Sequence, residues 1–275
     1  MVFLVTFFLI LSLSFQSHAF VIGEYIATLK AQPNIGSETV TQAMRLDPVE
    51  ILEDGLWCLV SLPRQHNYKG YIQKSNLIDW QHPKGKSYVV QTKVLSLYDK
   101  PGGNFVLSLP FASLVTVLEE TKDYYLVATY QGDLYAKKSD LYCIENKPVK
   151  ANDLIETAKE YLGVPYLWGG VGPSGFDCSG FVWAVVASYG YYLPRDAGPQ
   201  YYYEKFTPVE QNRLLPGDLV FFSTYKEGPS HVGIYIGNNQ FINSASSTGV
   251  TIASLKTTYY KTRYLGARRM PFVYQ

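Results

Sequence analysis

The sequence predicts an α+β protein, two small β-barrels followed by one helix-containing domain, and three observations carry that prediction. The chain of 275 residues is 15% aromatic, with 24 Tyr and 14 Phe, residue types that suit short pleated strands. Two stretches of the N-terminal half repeat each other, which is the mark of a duplicated unit. Near residue 148 the pattern changes to helical spacing broken by Gly-rich segments. With 24 Lys+Arg against 23 Asp+Glu, no overall field holds the protein to nucleic acid. An apolar fraction of 47% excludes intrinsic disorder.

The first element is an apolar run from Val2 to Phe15, followed by Ser17 and Ala19, small residues placed for signal-peptidase cleavage. A run of 14 residues is too short to span a bilayer comfortably. Residues 1–19 therefore read as a signal peptide cleaved after Ala19, although no Lys or Arg precedes the apolar run. The mature protein is expected to be exported, periplasmic, wall-associated or secreted, with no stable membrane span. Cys58, Cys143 and Cys178 are too few and scattered for a disulfide scaffold. Cys58 and Cys143 lie in apolar strand-like runs and read as small buried hydrophobes.

The repeat follows. Val49–Glu53, Trp57–Val60 and Tyr71–Leu77 match Val115–Glu119, Tyr124–Val127 and Tyr135–Leu141, at offsets of 66, 67 and 64. In each copy short alternating strands are separated by turn residues such as Asp54-Gly55 and Gln131-Gly132-Asp133. The expected units are 20–80 and 81–147, with a third domain over 148–275. That domain opens with a helix through Leu154, Ile155, Ala158, Tyr161 and Leu162, capped by Asn152 or Asp153 and stopped by Gly163 and Pro165. A Gly-rich loop from Gly169 to Gly175 then delivers Cys178 to a second helix, which runs to Tyr189 with one buried side.

Cys178 thus sits at a helix N-terminus, where the dipole favours thiolate over thiol. His231 is the sole histidine after residue 148, at the start of the alternating run His231–Gly237. The next run carries Asn243, and Asn238-Asn239 between the two makes a hairpin that brings His231 and Asn243 together. An amide oxygen accepting from the imidazole fixes its tautomer and leaves the other nitrogen for sulfur. The inferred set is Cys178, His231 and Asn243.

Five segments carry a family resemblance: Pro165–Gly170, Phe176–Val182, Leu193–Asp196, Pro216–Phe222 and His231–Gly237. In this order they resemble the motifs of NlpC-type cysteine peptidases, across roughly residues 150 to 270. The duplicated half, roughly residues 24 to 145, is similar to bacterial SH3 domains, which attach cell-wall enzymes to peptidoglycan or shape their substrate groove. The whole layout resembles gamma-D-glutamyl-L-diamino acid endopeptidases. The resemblance implies a papain-like domain, helices on an antiparallel sheet, preceded by two SH3-like β-barrels. It makes Cys178 the nucleophile, His231 the base and Asn243 the orienting residue, at a position where many relatives have histidine. It makes Tyr166 an oxyanion donor and puts Asp177, Ser179, Trp168 and Asp196 on the substrate side. Asp177 would then take the ammonium of an N-terminal L-Ala, and Ser179 the carboxylate of D-Glu. No metal or other cofactor is implied. The expected substrate is a peptidoglycan stem peptide of the L-Ala-gamma-D-Glu-diaminopimelate type. The alternatives are an amidase, a cross-link endopeptidase or a non-catalytic wall-binding protein. Asp218 reads as a turn residue, Arg195 and Asp196 as a possible surface pair, and Arg268-Arg269 as a solvated strand end.

Overall fold

The computed structural model describes residues 19–144 and 148–275. Residues 1–18, which hold nearly all of the expected signal peptide, lie outside the described residues. No helix among the described residues is long and apolar enough to cross a membrane.

The first unit contains strands β1 (Phe20–Ile22), β2 (Ile26–Lys30), β3 (Thr39–Met44), β4 (Pro48–Glu53), β5 (Trp57–Leu62), β6 (Tyr68–Gln73) and β7 (Leu77–Asp79). The second contains β8 (Lys86–Val90), β9 (Val94–Tyr98), β10 (Phe105–Pro110), β11 (Leu114–Glu120), β12 (Tyr124–Val127), β13 (Leu134–Lys137) and β14 (Leu141–Cys143). Their strand orders are β3-β2-β6-β5-β4-β1-β7 and β10-β9-β13-β12-β11-β8-β14. The second order is the first with every label advanced by seven, so the sequence repeat is a repeat of topology. The matched Lys-Ser-Asn and Lys-Ser-Asp triplets form the same single 3-10 turn in both copies. Alternation buries one face of each sheet. Ile22, Leu29, Val60 and Ile72 pack in the first core, and Val90, Leu95, Leu109 and Val115 in the second. Cys58 is buried in the first core and Cys143 is half-buried beside the second; no disulfide joins the three cysteines.

The third unit contains β15 (Val149–Lys150), α1 (Ala151–Lys159), β16 (Val171–Gly172), β17 (Gly175–Phe176), α2 (Cys178–Ala187), α3 (Ala197–Tyr201) and β18 (Thr207–Val209). It continues with β19 (Leu219–Phe222), β20 (His231–Gly237), β21 (Gln240–Ala245), β22 (Gly249–Ser254), α4 (Thr258–Lys261), β23 (Tyr264–Arg269) and β24 (Val273–Tyr274). Six of these strands form an antiparallel sheet in the order β18-β23-β19-β20-β21-β22, and α2 lies across β20 and β21.

Two helical details differ from expectation. The N-cap of α1 is Lys150, with no side-chain cap bond. Asp153 instead stands inside the first turn, where its charge still favours the positive helix end. Helix α2 is buried on every side rather than one, since each of its ten residues is buried. The sheet covers one flank and the N-terminal units another: Trp183 Nε1 donates to Arg64 O at 3.0 Å. The cores also interpenetrate. Leu46 of the first unit packs in the second core, and Met44, Phe111 and Ala112 pack in the core around α2.

Candidate active site

The loop from Leu167 to Phe176 is pressed against the first turn of α2. Gly170 O accepts from Asp177 N at 3.1 Å, and a Cβ at Gly180 would lie 2.1 Å from that same oxygen. Only glycine permits this approach. Asp177 is the N-cap of α2, its Oδ1 accepting from Gly180 N at 2.7 Å. Cys178 is therefore the first helical residue, 6% exposed, with Sγ 3.9 Å from Ser230 O at the corner where β20 begins.

His231 starts β20. The β20–β21 hairpin turns through Asn238 and Asn239, both at positive φ, and pairs Ile234 with Ile242. His231 and Asn243 consequently meet on the diagonal of one face, and His231 Nε2 bonds Asn243 Oδ1 at 2.8 Å. Asn243 Nδ2 donates to Thr251 O at 3.2 Å, which holds the amide oxygen towards the ring. An oxygen can only accept, so the proton sits on Nε2 and Nδ1 is left as the basic nitrogen. Tyr260 stacks on the imidazole with centroids 6.1 Å apart. Cys178 and His231 line a common cavity of about 560 Å³.

Burial dominates the electrostatics of the pair. It pushes the Cys178 thiol up to about 12, with the neighbouring Asp177 carboxylate adding to the rise. Burial also lowers His231 below 6.5, against the opposing pull of Asn243. The sequence-based expectation of a dipole-stabilised thiolate thus meets a stronger desolvation cost, and the neutral thiol–imidazole pair is favoured.

The other expected residues gather around the same sulfur. Tyr166 forms a bridge with Phe176 and lines the cavities on both sides of Cys178; burial raises its phenol, which keeps it a hydrogen-bond donor. Trp168, 45% exposed, donates through Nε1 to Glu38 Oε1 at 2.8 Å. Asp177 is engaged within the protein: besides the cap, Oδ2 accepts from Gly169 N at 3.0 Å and Arg195 Nη2 at 2.5 Å, and Oδ1 from Arg195 Nη1 at 3.1 Å. Its carboxylate is fully occupied, so the expected grip on a substrate ammonium has no lone pair directed at substrate. Ser179 Oγ lies between Asp177 and Arg195. Asp196 lines the cavity and bonds the Tyr68 hydroxyl; burial raises its carboxyl, with Arg195 pulling the other way.

Two further expectations are corrected. Arg195, 1% exposed, is no surface residue; besides Asp177 it reaches Thr41 Oγ1 in the first unit, at 2.8 Å. Arg268 and Arg269 are not a solvated end, since Arg268 lies 3.7 Å over the Tyr201 ring and Arg269 pairs with Asp218 at 2.7 Å. Asp218 does take its turn role, accepting from Leu215 N at 2.8 Å.

Sequence reasoning missed Glu38 and Tyr68. Both come from the first unit and close a second cavity of about 280 Å³ on the other side of Cys178. Neither stands in a motif, and only the packing of that unit on the third brings them here. Among the described residues no group of three or more His, Cys, Asp and Glu side chains could hold a metal ion.

The profile of the NlpC/P60 family matches residues 163–269, a span that contains Tyr166, Cys178, His231 and Asn243. The chain is 31% identical over 227 residues to a gamma-D-glutamyl-L-lysine dipeptidyl-peptidase of Bacillus subtilis (strain 168), covering 79% of this chain and 76% of that one. It is 32% identical over 255 residues to the protein of the same name from Bacillus cereus (strain ATCC 10987 / NRS 248), covering 88% and 75%. The crystal structure of an NlpC/P60 family protein from Bacillus cereus ATCC 10987 superposes with a TM-score of 0.77 at 26% identity, over 91% of this chain and 99% of that one. Fold, site order and similarity over most of its length agree: this chain belongs to the NlpC/P60 family.

Proposed function

We propose that the protein is a peptidoglycan-directed cysteine endopeptidase that hydrolyses the gamma-D-glutamyl bond to the diamino acid of a short stem peptide. The observation that carries this reading is Cys178 at the head of α2, lining one cavity with a His231 whose Nε2 is held by Asn243. His231 Nδ1 takes the thiol proton as sulfur attacks the amide carbonyl. The backbone N–H of Cys178 and the Tyr166 hydroxyl receive the developing oxyanion. The C–N bond breaks as the imidazolium returns its proton to the leaving amine. Water, activated by the same imidazole, then hydrolyses the thioester.

The enclosed cavity supports the choice of a short peptide with a free N-terminus. Glu38, Val40 and Tyr68 wall it off, and Asp196 lies inside. With Asp177 tied to Arg195 and the Ser179 hydroxyl donated to Asp177, the ammonium of an N-terminal L-Ala falls to Asp196 and Glu38, and the D-Glu carboxylate to Lys226. Trp168 packs the side of this cavity, its ring 5.7 Å from Tyr225. A wall-derived substrate accords with export by way of the apolar run Val2–Phe15, with the first SH3-like unit shaping the groove.

The test is digestion of L-Ala-gamma-D-Glu-L-Lys and its meso-diaminopimelate counterpart, with products identified by mass. Cys178→Ala should reduce turnover by at least about a thousandfold. Undiminished cleavage by that variant, or products cut at another bond, would refute the reading.

A further inference from the structure

One hydroxyl of the first unit reaches the helix that carries the nucleophile. Thr41 on β3, Gln65 in the single 3-10 turn Pro63–Gln65, and Arg195 are all buried. An arginine can only donate, so the Thr41 hydroxyl accepts from Arg195 Nε at 2.8 Å and its own proton goes to Gln65 Oε1 at 2.7 Å. Gln65 Nε2 donates to Gln42 O at 2.7 Å, which fixes the amide with its oxygen towards Thr41. Residue 41 must therefore accept and donate at once. Beyond Nε the guanidinium forks onto Asp177, with Nη1 reaching Oδ1 at 3.1 Å and Nη2 reaching Oδ2 at 2.5 Å. A planar fork held at both ends keeps one orientation.

Asp177 passes that orientation to the reacting centre. Its Oδ1 accepts from Gly180 N at 2.7 Å and its Oδ2 from Gly169 N at 3.0 Å, so the carboxylate ties the entry loop to the first turn of α2. The Cys178 N–H lies in the rigid peptide plane that joins it to Asp177, and turning the cap turns this donor. Resting on the proposed cysteine chemistry, we propose that Thr41 is a positioning residue for the reaction: through Arg195 and Asp177 its hydroxyl aims the Cys178 N–H at the oxyanion. The effect belongs to the transition state, because charge on that oxygen develops only there. The parts of this segment that face substrate are held separately. Pro194 O accepts from Gln200 Nε2 at 2.9 Å, and Asp196 bonds the Tyr68 hydroxyl. His231 is held from β21, by Asn243.

The experiment measures kcat and KM for L-Ala-gamma-D-Glu-L-Lys in wild type, Thr41→Val and Thr41→Ser, together with the rate at which iodoacetamide alkylates Cys178, the modified residue being located by peptide mass. Valine keeps the shape and removes the hydroxyl, so kcat should fall by about ten- to a hundredfold with KM within about twofold of wild type. Serine keeps the hydroxyl and should restore kcat to within about threefold of wild type. Alkylation creates no oxyanion, and its rate in Thr41→Val should stay within about threefold of wild type. An unchanged kcat, a change confined to KM, no recovery with serine, or alkylation slowed as far as kcat would each overturn the assignment. Should Thr41→Val fail to fold by far-UV circular dichroism, Gln65→Met decides. It removes the acceptor of the Thr41 proton, and kcat should fall by about threefold or more at steady KM; an unmoved kcat overturns the proposal. A wild type that leaves this peptide intact overturns the proposed bond, and the role that rests on it.

Discussion

Two opposed shifts at one pair of side chains decide the expected pH behaviour. His231 works as a base only when neutral, and its lowered pKa keeps it neutral to more acid pH than an ordinary histidine. Cys178, pushed up to about 12, stays a thiol through the alkaline range. The kcat/KM profile should therefore rise with an acid limb below 6.5 and then run flat into alkaline pH. A fall in rate on the alkaline side, the sign of an imidazolium losing its proton beside a thiolate, would contradict the neutral pair. Asn243 acts one step back, through the tautomer of His231. Asn243→Ala should lower kcat by on the order of a hundredfold with little change in KM, and Asn243→His should recover much of the loss. A change confined to KM would make Asn243 a substrate contact. The Cys178, His231 and Asn243 trio was legible in the sequence because each residue is tied to a local signal, a Gly-rich loop, a strand start or an Asn-Asn turn. The direction of the cysteine's shift was not legible. Desolvation depends on what covers the helix, and that comes from elsewhere in the chain.

At the level of elements, α2 is aimed by contacts at its first turn. The Gly170 carbonyl lies where a Cβ on residue 180 would be, 2.1 Å away. Gly180→Ala should push the loop and the helix apart and cost about 1–3 kcal/mol of stability. Urea titration would measure that, and the displaced Cys178 N–H should lower kcat as well. Full stability in this variant would mean that the loop yields freely. The hairpin and both long helices were readable because their periodicity and turns are local, down to the two positive-φ asparagines. The Arg195 anchor was not. Its partner Thr41 lies 154 residues away, and its four hydrogen bonds join a β-unit to the helix cap of the nucleophile. An Arg-Asp sequence pair gives no hint that the arginine turns inward to Asp177 while Asp196 faces the cavity.

Over the whole molecule, the first unit supplies a wall of the site and the second packs Phe111 and Ala112 into the core around α2. Arg64 shows how closely the three are joined. It forms a buried ion pair with Asp47 in its own unit, donates from Nη2 to Ala112 O in the second at 2.6 Å, and lies 5.5 Å over the Trp183 ring of α2. Removing the guanidinium leaves the Asp47 carboxylate, 4% exposed, without its counter-charge. Loss of one partner of a buried pair costs about 3–5 kcal/mol. Because the cores interpenetrate at Leu46, Met44 and Phe111, that cost should be borne by the molecule as one cooperative unit. In Arg64→Ala, urea unfolding followed by far-UV circular dichroism, aromatic fluorescence and residual peptidase activity should give a single coincident transition at lower denaturant than wild type. Activity persisting after the β-signal is lost would show that the third unit stands alone. The wall formed by Glu38, Val40 and Tyr68 would then be dispensable, and selection of short peptides would have to arise within residues 148–275.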